Sequence, residues 1–220
     1  MIVLPFFLLI TLSALSQQPA WDSTYRPSNY ARQVDNFRSY PNSPSDIIML
    51  GNSITDYAHW NELLNLNEVR NRGISGDITF GILERLDEVT EGKPAKVFIL
   101  IGINDIARNI PDSVIIDNYK RIISRIRTSS PGTKIYFNTL LPVNNTFPAR
   151  NHFNKDEHIS FINDAIRKLE KSEKITVIDI HPFFLDSENK LDKRFTYDGL
   201  HLNAGGYKIW ASILNPFIKN

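Results

Sequence analysis

The sequence predicts an α/β fold: three layers, flavodoxin-like, around a five-stranded parallel sheet in the order 2-1-3-4-5. Three observations predict it. Short apolar runs alternate with segments of helical periodicity along the chain. The run Val97-Phe98-Ile99-Leu100-Ile101 is apolar on both faces, as a central parallel strand must be. At 220 residues the chain is long enough for one such domain with a sizeable core. The strand order follows from the class and from right-handed crossovers, not from periodicity.

The chain begins with a different kind of segment. Ile2 to Ile10 is an apolar run, and Ala14-Leu15-Ser16 is a small-x-small site before Gln17. Residues 1–16 are therefore expected to be a secretory signal peptide, although the usual basic start is missing. The expected destination is the periplasm or the medium, with no stable membrane insertion after cleavage. Residues 17–45 read as an N-terminal extension with one helix, and residues 46–220 as the main domain.

In the extension, Ser28 is expected to cap a helix reaching Tyr40, with Tyr30, Val34 and Phe37 on one face. The first strand is about Asp46–Gly51. A helix is expected over Asp56 to Leu66, where Trp60, Leu63 and Leu64 share a face. Val69–Gly73 is the second strand. Ile74-Ser75-Gly76-Asp77 is then a turn ending in a capping aspartate, followed by one helix from Ile78 to Val89.

The third strand is Lys96–Ile101. A helix from Pro111-Asp112-Ser113 to Arg127 buries Ile115, Tyr119, Ile122, Ile123 and Ile126. The fourth strand is Lys134–Leu140, and a polar loop covers Pro142 to Lys155. A helix over Asp156–Lys171, a fifth strand at Lys174–Ile180 and a last helix over Ala204–Phe217 complete the chain.

Lys and Arg total 25 against 24 Asp and Glu, for a net charge of +1. That balance gives no basic stripe for nucleic acid and no acidic tail. The chain has no cysteine, which excludes disulfides, thiol catalysis and thiolate metal sites. No pattern fixes an oligomeric state, and no metal or cofactor is expected.

The chemistry centres on Ile47-Ile48-Met49-Leu50-Gly51-Asn52-Ser53. A buried strand here delivers a serine to the carboxyl end of the sheet, where open α/β sheets bind ligands. Helix capping is the competing role for a serine at such a turn. The turns after the first three strands carry Ser53, Gly76 and Asn104 side by side. Serine can attack a carbonyl, a glycine lets a backbone N–H approach an oxyanion, and asparagine adds an amide N–H. Asp198-Gly199-Leu200-His201 offers an acid and an imidazole three residues apart, close enough for the acid to orient the base.

Four motifs in this order resemble the SGNH, or GDSL-type, esterases and acylhydrolases. Gly51-Asn52-Ser53-Ile54-Thr55 resembles the first block. Asn71-Arg72-Gly73-Ile74-Ser75-Gly76-Asp77 resembles the second, Gly102-Ile103-Asn104-Asp105 the third, and Asp198-Gly199-Leu200-His201-Leu202-Asn203 the fifth. The resemblance implies Ser53 as nucleophile and Asp198 and His201 as its acid and base. It also implies an oxyanion hole from Ser53, Gly76 and Asn104, and ester hydrolysis without a metal. The chain departs from the family name motif in having Asn52 where aspartate precedes the serine. Thr55 also replaces the second glycine of a Gly-x-Ser-x-Gly elbow, which disfavours an α/β-hydrolase.

The expected function is an exported serine esterase acting on short-chain, acetyl esters, with O-acetyl groups on carbohydrates as substrate. The Asn71–Asp77 stretch and the Gly-Leu-His-Leu-Asn ending look most like bacterial sialate O-acetylesterases and related carbohydrate deacetylases. A lysophospholipase or thioesterase of the same family is the alternative, and a non-catalytic carbohydrate-binding protein is the alternative of another class. Asn144, Asn145, Phe147 and Arg150, in the loop after the fourth strand, are expected to shape the acyl or sugar pocket. Asn144-Asn145-Thr146 is also a glycosylation sequon.

Overall fold

The computed structural model describes residues 21–219, so the expected signal peptide lies outside the described residues. Helix α1 spans Tyr30–Ser39 and buries Tyr30, Val34 and Phe37 against Ile74, as their spacing requires. Its N-cap is Asn29, not Ser28, and no side chain caps it.

Strand β1 (Ile47–Gly51) is buried throughout and leads directly into the short helix α2 (Ser53–Asp56). Helix α3 (Trp60–Leu64) follows, shorter than the helix expected over Asp56 to Leu66, and α2 ahead of it is a further short helix that begins at Ser53. β2 is Val69–Gly73.

The helix expected from Ile78 to Val89 is broken into α4 (Thr79–Glu84) and α5 (Leu86–Thr90). The break falls at Arg85, whose fully buried guanidinium donates to the carbonyl oxygens of Gly51 and Arg72. Those bonds tie the chain to the ends of β1 and β2. The cap on α4 also differs from expectation. Asp105, not Asp77, accepts the Thr79 N–H at 3.0 Å and the Thr79 hydroxyl at 2.6 Å. Asp77 engages Arg85 at 3.1 Å and the neighbouring Ile78 N–H instead.

β3 (Lys96–Leu100) is followed by α6 (Ile103–Ala107), a helix too short for periodicity to announce. α7 (Asp112–Ser129) buries the five residues predicted for it and also Asn118. β4 (Lys134–Asn138) and α8 (Asp156–Ser172) flank the long loop, and β5 is only Thr176–Ile178. α9 (Ala204–Lys219) closes the fold. Its carbonyl end is held by Lys96, whose Nζ donates to the carbonyl oxygens of Phe217 and Ile218.

The five strands form one parallel sheet in the order β2-β1-β3-β4-β5. Ile47 stands opposite both Val69 and Lys96, and Gly51 opposite Gly73 and Leu100. The β1–β2 connection runs one way along the sheet and the later ones run the other. Right-handed crossovers therefore place α3 with α9 on one face and α4, α5, α7 and α8 on the opposite face. The loops after β1, β2 and β3 emerge side by side at the carboxyl edge, where the strand order reverses.

Candidate active site

Ser53 occupies the first position of α2. Asn52 caps that helix, its Oδ1 accepting the Ile54 N–H at 3.0 Å, so the serine hydroxyl is left without a capping task. An asparagine side-chain oxygen performs this cap as an aspartate would, which accounts for the departure at Asn52. α2 is pinned from the opposite side by the Tyr207 hydroxyl, which donates to the Ile54 carbonyl at 2.8 Å.

Ser53 Oγ lies 3.0 Å from His201 Nε2, and His201 Nδ1 lies 2.8 Å from Asp198 Oδ2. The carboxylate holds the Nδ1 proton, which leaves the Nε2 lone pair facing the serine hydroxyl. The other Asp198 oxygen accepts the backbone N–H groups of Leu200 at 3.0 Å and His201 at 2.8 Å. Thr196 closes the loop, accepting the N–H groups of Asp198 and Gly199 and donating to the His201 carbonyl. Gly199 has φ +77°, and a Cβ there would meet the Asn144 carbonyl at 2.4 Å, so this tight loop needs glycine.

Burial pushes the Asp198 carboxyl up, but the bonds from the His201 side chain and from the His201 and Leu200 backbones outweigh it. The result is a carboxyl held below its ordinary range. Tyr57, one helical turn beyond Ser53, places its ring against the His201 imidazole with centroids 5.0 Å apart.

Gly76 and Asn104 border one large open pocket of about 1070 Å³. Gly76 has φ +84°, and a Cβ there would come within 3.2 Å of Pro27. Among the described residues, the backbone N–H groups of Ser53 and Gly76 donate to no protein acceptor. Asn104 Nδ2 donates one proton to the Asp77 carbonyl at 2.9 Å, and Asn104 Oδ1 lies 2.9 Å from His152 Nε2. The remaining pocket wall comes from Trp21 to Thr24 of the extension, from Ala107 to Asn109, and from Asn151 and His152.

A second cavity of about 10 Å³ lies beside the chain neighbours of the serine. It is closed by Asn52, Ile54, Ile103, Leu141, Val143 and Leu200 among others.

The structure thus brings Ser53, Asp198 and His201 into one hydrogen-bonded chain, with Gly76 and Asn104 on one adjoining pocket. The four loop residues expected at the substrate have other partners. Asn144 is buried, donating to the Leu191 carbonyl at 2.8 Å and accepting from the Thr146 N–H and hydroxyl. A buried amide so engaged also cannot carry a glycan, which corrects the sequon reading. Asn145 donates to Asn154, and Phe147 packs over Gly199. Arg150 donates to Asp198 Oδ2 at 2.8 Å. His152, Tyr57 and the Trp21–Thr24 wall were not legible as site residues. Only Tyr57 had a signal, its four-residue spacing from Ser53.

A doubly flanked parallel sheet with serine, histidine and aspartate joined at its carboxyl edge has the arrangement of a serine hydrolase, and the family match makes the class that of the ester hydrolases. The chain belongs to the GDSL-like lipase/acylhydrolase family, whose profile matches residues 49–209. Among curated relatives, N-acylneuraminate cytidylyltransferase of Escherichia coli is 29% identical over 87% of this chain and 44% of its own length. The chain therefore spans less than half of that relative. The platelet-activating factor acetylhydrolase IB subunit alpha2 of Rattus norvegicus is 29% identical over 78% of this chain and 73% of its own. A Streptococcus pneumonia structure described as a platelet activating factor superposes with a TM-score of 0.80 at 28% identity. That match covers 86% of this chain and 92% of the other.

Proposed function

We infer that the protein is an exported serine esterase that removes small acyl groups, acetyl above all, from carbohydrates. The observation that carries the reading is the unbroken chain from Ser53 Oγ through His201 to Asp198. Ser53 Oγ forms a bond to the ester carbonyl carbon while its proton passes to His201 Nε2. The negative oxygen is held by the N–H groups of Ser53 and Gly76 and by the second Nδ2 proton of Asn104. The carbon–oxygen bond to the sugar then breaks, and His201 returns the proton to the departing hydroxyl. Water repeats both steps on the acyl-serine and releases the acid.

Two features support the substrate class. The closed cavity beside Asn52 and Ile54 has only about 10 Å³ and is walled mostly by aliphatic side chains, so it offers a long acyl chain no channel there. The large pocket is open and edged with polar groups and one indole, which suits a polyhydroxylated leaving group. The names of the two curated relatives point the same way, one to an N-acylneuraminate sugar and the other to acetyl hydrolysis. Export belongs to the same proposal and rests on the leader read at residues 1–16.

The test is initial-rate hydrolysis of p-nitrophenyl acetate, butyrate and octanoate, with acetate release from O-acetylated sugars, beside Ser53→Ala. Acetyl esters should be cleaved fastest, and Ser53→Ala should remove all activity. Octanoate cleaved faster than acetate would overturn the short-acyl reading, and an active Ser53→Ala would overturn the serine mechanism.

A further inference from the structure

Asn104 has only one pair of amide protons, and the structure assigns one of them. The Asp77 carbonyl can only accept, so Asn104 Nδ2 must face it, and Oδ1 must face His152. Oδ1 can only accept, so His152 Nε2 must carry a proton. The imidazole is partly buried, and that burial, together with the nearby His201, pushes its pKa down to about 4. It is thus neutral under ordinary conditions. One proton on Nε2 leaves Nδ1 bare, and Nδ1 is a buried atom with no partner among the described residues. A donor at Nδ1 would be compatible with this state, but a protein acceptor there would draw the proton away and set two lone pairs against each other at Oδ1. The absence of such an acceptor among the described residues keeps Nε2 a donor.

We propose that His152 is a positioning residue that locks and polarises the Asn104 amide, so that its free N–H points at the reacting oxygen. Bonds at both ends of the amide, Oδ1 accepting and Nδ2 donating, fix its plane. The bond accepted at Oδ1 from His152 also draws charge away from the amide nitrogen, which strengthens its free N–H as a donor. His152 touches no reacting atom in this arrangement; it acts through Asn104. Its neutrality also matters, since a second cation here would oppose the imidazolium that forms on His201.

The proposal rests on Asn104 as an oxyanion donor, and a double-mutant cycle separates the two. With p-nitrophenyl acetate, His152→Ala should lower kcat about three- to tenfold with KM little changed, the effect of one neutral hydrogen bond. In the Asn104→Ala background the same change should cost less than about twofold. His152→Gln, which keeps an N–H near the Nε2 position, should recover most of the rate. Equal losses from His152→Ala in both backgrounds, or no loss in either, would overturn the role. So would a His152→Gln protein as slow as His152→Ala. If His152→Ala lowers the unfolding midpoint, the glutamine variant decides between these outcomes. Asn104→Ala at the parental rate would remove the oxyanion assignment and this proposal with it. An active Ser53→Ala would instead sink the mechanism as a whole.

Discussion

Arg85 holds Asp77 at 3.1 Å with neither side chain exposed, and the carbonyl of the same Asp77 accepts the Asn104 amide at 2.9 Å. The asparagine proposed for the oxyanion hole therefore stands on a buried ion pair. Arg85 also donates to Glu88 at 3.0 Å, and Glu88 accepts from Arg72 at 3.1 Å, so four charged side chains share one buried layer under the site.

Truncating the centre of that layer should be severe. Arg85→Leu leaves Asp77 and Glu88 short of a counter-charge and the Gly51 and Arg72 carbonyls short of a donor. A loss of about 3–5 kcal/mol is expected, the cost of breaking a buried pair by removing one partner. Urea unfolding monitored by circular dichroism measures it, and a loss under about 1 kcal/mol would show that the network contributes little.

Asp198→Asn should leave the loop folded and the chemistry crippled. The asparagine oxygen can still accept the Leu200 and His201 backbone bonds, but no carboxylate remains to hold the Nδ1 proton. A fall in kcat of about 10³–10⁴ with KM nearly unchanged is expected by analogy with other serine triads. Steady-state kinetics on acetyl esters decide it, and a fall below tenfold would refute Asp198 as the orienting acid.

The oxyanion donors should be felt in turnover. Asn104→Ala is expected to lower kcat by about 10²–10³. Gly76→Ala forces a side chain into a φ of +84° beside Pro27, so it should lower stability by about 1 kcal/mol or more as well as slow catalysis. Parallel thermal melts and single-turnover rates separate the two effects. A Gly76→Ala protein equal to the parent in both would argue that the loop relaxes freely.

The buried carboxyls Asp105 and Asp77 should each contribute less stability as pH rises from acid to neutral, while His152, held below its ordinary range, contributes in the opposite direction. Burial raises the Asp105 carboxyl from 3.8 to about 7, and Asp77 rises to about 6 for the same reason. A carboxyl raised in the fold favours the folded state while it is protonated. That contribution is complete below about pH 4 and is lost as pH climbs through 7. For Asp105 the shift corresponds to about 4 kcal/mol as an upper bound. Asp105→Asn, which keeps an acceptor for Thr79, should flatten the pH dependence of urea midpoints between pH 4 and 7. An Asp105→Asn protein with the same pH dependence as the parent in that window would contradict the burial argument.

Most of the fold was legible because local pattern and global topology agree. Apolar runs gave β1 and β3, all five strands were placed in order, and the spacing of Ile115, Tyr119, Ile122 and Ile126 gave α7 with its buried face. Ser53, Asp198 and His201 were legible because two short motifs carry them at the ends of predictable elements. What escaped the sequence depends on distant partners. Arg85 breaks a periodic helix by bonding to strand ends 13 and 34 residues away in sequence. Asp105 caps a helix that begins 26 residues earlier. Asn144 and Arg150 have the composition of pocket residues, but a carbonyl at Leu191 and a carboxylate at Asp198 claim them. No periodicity encodes such pairings.

Arg150 and His152 sit two residues apart, yet one reaches Asp198 and the other Asn104, each 48 positions distant in the chain. A single irregular segment thus acts as a yoke across both wings of the site. Loops of this kind usually tolerate exchange between homologues, but here a transplant would carry part of the alignment of the triad and of the amide with it. Anyone recombining relatives to alter substrate range should treat this segment and its two anchors as one inheritable unit.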